Sequence, residues 1–188
     1  MNEDDLFGKF RVSPEYKAEL AKIVDSEGHA HRERAMDLIR KYYLDNPLSP
    51  KKPFSNELRN RVAKLLGLES PEDLKRLKFY TSVGKKEDSP LDFWHGIDSW
   101  IEYTPKDKKE PIVVTIDGTI REKKDDAKAD LLVKDVPDKS IDANKFAVMV
   151  DVFAQRAAEL FGAEKEEKPP TVKTLLSGGV VRRRRVGE

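Results

Sequence analysis

The residues that draw attention first are two aspartates set in apolar surroundings: Asp98 in "HGIDSWIEY" and Asp117 in "VVTIDGT". A carboxylate is costly to bury unless something pairs with it, and a metal ion is one of its better partners. If the chain between them folds back as an antiparallel hairpin, its two ends meet and the aspartates become neighbours. Two neighbouring carboxylates repel each other and favour a divalent cation. Hard oxygen donors of this kind suit magnesium or manganese. Thr119, Lys123 and Lys124 follow Asp117, and a lysine beside such a metal orients a water or steadies charge developing on a phosphoryl group. A plainer reading fits the same residues. Asp117-Gly118-Thr119 is also a turn signal, because Asp-Gly accommodates positive φ, and Asp98 equally suits a turn or cap after Gly96.

The elements that must position these acids read as helices first and strands second. "SPEYKAELAKIVDSEG" opens on Ser13 as N-cap with Pro14 at the first helical position, and Gly28 is the expected stop. A second helix is expected over about 29–45, with Ala35, Met36, Leu38, Ile39, Tyr42 and Tyr43 at helical spacing. After the connector "NPLSPKKP" comes a third, over about 55–66, with Ser55 as cap and Gly67 beyond its end. "SPEDLKRL" starts a short fourth. From residue 77 the period changes: "KFYTSV", "DSWIEYT", "PIVVTIDGT" and "DLLVKDV" read as strands, "SPLDFWHG" as a turn or single helical turn, and "PKDKKE" as the loop of a hairpin. A long helix over about 140–161, capped by Ser140 and stopped by Gly162, closes the pattern. The fold class expected is α+β: N-terminal helices followed by a small mixed β-sheet flanked by helices. Three parts follow: a helical extension over 1–50, an α+β core over 51–162 and a flexible basic tail over 163–188.

This order of elements resembles the PD-(D/E)XK nuclease-like superfamily over about residues 55–161. It has a helix, a hairpin with an aspartate after a glycine-containing turn, an apolar strand ending in an acid, a lysine-rich segment, another strand and a closing helix. The resemblance implies a restriction-endonuclease-like fold, with Asp98 as the first metal-binding acid and Asp117 as the acid of the second half-motif. It also implies magnesium as cofactor and hydrolysis of DNA by a metal-activated water. The chain departs from the family pattern at Thr119, which stands where a lysine is usual. Lys123, Lys124 and Lys128 are the replacements at hand, and a site that has decayed on a surviving fold is the other outcome.

The rest of the chain narrows the classes. Among 188 residues, 36 Lys and Arg stand against 35 Asp and Glu, so any nucleic-acid contact must come from a local patch. Cysteine is absent, which removes disulfides and thiolate chemistry. The acidic start has no hydrophobic segment of a signal peptide, and no apolar run is long enough to span a bilayer, so a soluble cytoplasmic protein, or one carried in a virion, is expected. The one concentrated positive patch is Arg182, Arg183, Arg184 and Arg185. It suits sequence-independent phosphate contact, or, flanked by valines, docking on a protein partner. The rival to a nuclease is therefore a non-enzymatic assembly or interaction protein, for example a phage component, that docks through this tail. His29 and His31 do not share a helix face. His95 reads as a packed turn residue beside the acids, and Trp94 and Trp100 read as core.

Overall fold

A computed structural model describes residues 1–118 and 129–163. The elements in chain order are α1 (Glu3–Phe7), α2 (Pro14–Leu20), α3 (Arg32–Tyr42), α4 (Pro53–Leu65), α5 (Pro71–Leu74), β1 (Leu77–Thr81), α6 (Pro90–His95), β2 (Ser99–Tyr103), β3 (Ile112–Gly118), β4 (Leu131–Val133) and α7 (Ala143–Leu160). The strands form one sheet in the order β1-β2-β3-β4. β1, β2 and β3 are an antiparallel meander, and β4 joins β3 in parallel. The class is α+β, with helices against a small mixed sheet.

Both faces of the sheet are covered, which explains why its strands read as nearly continuous apolar runs. Alternate residues of each strand go to opposite cores. Leu77, Phe79, Ile101, Val114 and Ile116 join α4 and α7 in one core. Tyr80 and Trp100 point the other way, into a core built with Tyr16, Leu20, Met36 and Ile39 from α2 and α3 and with Leu91 and Ile97. The N-terminal helices thus pack on the sheet: Leu6 and Phe7 of α1 enter the first core, and α2 and α3 cover the second. Trp100 is fully buried, as its type suggested.

Several helix ends differ from the sequence reading, each for a local reason. α2 keeps its Ser13 cap, whose hydroxyl accepts from the Tyr16 N–H, but stops at Leu20. The chain then makes a turn in which Gly28 takes positive φ, and Val24 bridges to Ala30. α4 begins at Pro53, earlier than Ser55, because the Ser55 hydroxyl is spent inside the helix donating to the Leu6 carbonyl at 2.7 Å. α7 is capped by Asp142, whose carboxylate accepts from the Lys145 N–H, while Ser140 is tied to Asp138. "PLDFWH" is a six-residue helix, so of the turn and the single helical turn expected there the helical one holds. Its Ser89 cap and N-terminal Pro90 supply both start signals.

Candidate metal centre

α6 sets up Asp98. The helix ends on Gly96, which takes the left-handed conformation (φ 60°, ψ 39°) that a side chain would strain. Ile97 then drops into the second core, and Asp98 arrives at the head of β2. Ser99 pairs with Ile116, yet the Asp98 N–H also donates to the Ile116 carbonyl at 3.0 Å. Two residues facing one is the count of a β-bulge, a device that re-aims side chains at the end of a ladder. On its other side the Asp98 carbonyl accepts from the Ser82 N–H, so the residue is fixed from both neighbouring strands. Asp117 sits near the end of β3, directly past Ile116 and paired with Leu132 of β4. The expected hairpin therefore exists, and it brings both acids to the same end.

Both carboxylates are buried, Asp98 at 3 % exposure and Asp117 at 2 %. The Gly118 N–H donates to Asp98 Oδ2 at 2.6 Å. Burial pushes the Asp98 carboxyl up to about 8; the Gly118 N–H pulls it down, and the charges of Glu3, Asp92 and Asp117 add to the rise. Burial and the neighbouring acids thus both disfavour the ionised form of Asp98. A cation placed there would relieve both the burial and the repulsion.

Gly118 is not a turn residue, which corrects the Asp-Gly reading. It belongs to β3, pairs with Val133 and has no positive φ. Its role is clearance: a Cβ there would lie 2.7 Å from the Phe7 ring and 3.5 Å from Asp98 Oδ2. Asp98 is likewise no cap, since its side chain reaches across to the neighbouring strand.

Two acids that the sequence did not single out, Glu3 and Asp92, face this end of the hairpin. They line a hollow of about 330 Å³ together with Lys9, Phe10 and Lys85. Asp92 is held there by the Gly84 N–H, which donates to its Oδ2 at 2.9 Å. The signals for the helices that carry them were present. Asn2 and Asp5 make a reciprocal capping box at the start of α1, and Ser89-Pro90 opens α6. What those helices would face was not written in either segment.

The remaining candidates do not join this group, or lie elsewhere. Thr119, Lys123, Lys124 and Lys128 fall outside the described residues, as do Arg182, Arg183, Arg184 and Arg185. His31 caps α3 by backbone only. His95 contacts the Ala30 carbonyl through Nε2 at 2.9 Å, and His29 lies against Trp94 and His95. Among the described residues, no three His, Cys, Asp or Glu side chains are grouped as a metal site. Magnesium does not require such a group, because it is held by one or two carboxylates and keeps several waters. Asp98 and Asp117, both oxygen donors, lie at the same end of the hairpin. Compared with protein-family models, curated proteins and solved structures, the chain matches none.

Proposed function

We propose that this chain is a magnesium-dependent nuclease-like domain acting on DNA, with Asp98 and Asp117 holding the metal. The observation that carries the reading is the confinement of two buried aspartates at one end of the β2–β3 hairpin. The order of α4, the hairpin, β4 and α7 supports the same reading, because it is the order on which the family resemblance rests. Magnesium bound there would supply an activated water and neutralise phosphoryl charge. The chain's own part is to orient that water and exclude bulk solvent, with Lys123 or Lys124 as the assisting cation in place of Thr119.

The test is cleavage of single-stranded, duplex and branched DNA with and without magnesium. Wild type is expected to cleave at least one of these substrates, and Asp117→Asn to lose about 100-fold or more of that rate. If both proteins are equally inert on all three, the enzymatic reading fails and a non-enzymatic assembly role replaces it. The surfaces to examine would then be the Arg182–Arg185 tail and the exposed Val148 and Val152 of α7.

A further inference from the structure

A hollow of about 530 Å³ opens between the turn after α2 and the start of α6. Its apolar lining is Leu20, Ala21, Val24 and Pro90, and its acids are Asp25, Glu27, Glu87 and Asp88. Two lysines line it as well, and the fold has already engaged both. Lys17 pairs with Asp88 at 2.9 Å. Lys86 Nζ stands 4.8 Å from the Phe93 ring centroid and 5.1 Å from that of Trp94. The His29 and Glu27 N–H groups donate to Asp25 Oδ1 and hold its carboxyl below the usual carboxylate range. Glu27 and Glu87 are exposed, and among the described residues neither makes an ion pair or a side-chain hydrogen bond. The lining therefore has negative charge to spare beside apolar surface.

That combination fits a cationic segment with short apolar side chains, and the chain carries one outside the described residues: "VVRRRRV" at 180–186. The formal net charge of the whole chain is +1, which these four arginines exceed, so the rest of the molecule is net negative. The segment can reach the hollow. Fully extended, the chain from Ala163 to Arg182 spans roughly 60 Å, against a radius of gyration of roughly 15 Å for a domain of this size. Such a tether gives an effective concentration on the order of millimolar, so individually weak surface contacts suffice.

We propose that residues 180–186 dock in this hollow of their own chain, with Val180 and Val181 on Leu20, Val24 and Pro90 and the arginines on Asp25, Glu27 and Glu87. A guanidinium meets a carboxylate through two parallel hydrogen bonds, which suits it to exposed acids. The docking needs nothing of the Asp98–Asp117 end.

The experiment uses the full chain, which has no cysteine of its own, with a nitroxide attached at Gly187→Cys and isotope-enriched backbone amides. At low salt the label is expected to broaden the amide signals of Ser26, Glu27 and Glu87. Salt at about 1 M, where the screening length falls to about 3 Å, is expected to restore them. Glu27→Gln combined with Glu87→Gln should weaken the docked state roughly 5-fold, and Val180→Ser combined with Val181→Ser should weaken it too. The remaining amide signals show that each variant keeps its fold. An equal mixture of labelled, unenriched chain with unlabelled, enriched chain separates docking within one chain from docking between two. Broadening confined to the chain that carries both labels upholds the proposal. It is overturned if no signal broadens at low salt, if the broadening falls on another face, or if either pair of substitutions leaves it unchanged. Equal broadening in the mixture also overturns it, making a second copy the occupant.

Discussion

Two acids on the same short stretch of chain, Asp98 and Glu102, are buried to nearly the same degree, at 3 % and 5 % exposure, and are treated in opposite ways. Glu102 Oε1 accepts from Arg40 Nε at 2.5 Å and from Trp100 Nε1 at 2.8 Å. Arg40 comes from α3, so the pair ties the N-terminal helices to the sheet. Asp98 is given one backbone N–H and three acidic neighbours. The first arrangement is complete within the chain. The second sets Asp98 among other acids, which together with burial disfavours its ionised form.

The largest expected effect tests the completed side. Arg40→Ala strands a buried carboxylate and should destabilise the fold by about 3 kcal/mol in urea unfolding at neutral pH. A change near zero would mean that Glu102 tolerates its burial as Asp98 does, and the contrast would collapse.

The next effect has the opposite sign. The folded-state carboxyl of Asp98 is raised to about 8, against roughly 3.9 for an unfolded aspartate. Between those values the folded chain keeps a proton that the unfolded chain has released. Stability is therefore whole below about pH 4, falls as pH rises toward 8, and levels off beyond. Asp98→Asn can still accept from the Gly118 N–H while carrying no charge. It should flatten this slope and exceed the wild type at pH 8 by on the order of 2 kcal/mol, with little difference near pH 4. A variant less stable than wild type at pH 8 would show that the charge is already compensated.

The smallest effect probes the compensation directly. Magnesium at ten times its dissociation constant should stabilise wild type by about 1.4 kcal/mol in a thermal melt at pH 8. The gain should shrink at pH 6, where a proton competes for Asp98, and should vanish in Asp117→Asn. An equal gain in the variant would assign the ion to another place.

Much of this was readable from local pattern. Alternation in "SWIEY" and the apolar run "PIVVTID" marked the hairpin, and with it the meeting of Asp98 and Asp117. Ser13-Pro14 and Ser70-Pro71 marked true helix starts, because capping is settled within four residues. The failures came where a side chain answers to a distant partner. Ser55 looks like a cap in sequence but bonds Leu6. Glu3 and Asp92 gave no sign of facing Asp98, since their local pattern specifies only the helices that carry them. Gly118 was misread because Asp-Gly signals a turn far more often than it signals room for a phenylalanine.

That last contact bears on the order in which the molecule can assemble. Phe7 belongs to α1 and the glycine it covers to β3, and the two are separated by more than half of the chain. α1 also rests on α4, where Phe7 meets Phe54 edge-on and the Ser55 hydroxyl donates to the Leu6 carbonyl, and five residues are too few to hold a helix alone. Closing so long a loop is slow compared with forming the neighbouring helices. The acid end of the hairpin is therefore covered by Phe7 only once a contact spanning more than half of the chain has closed.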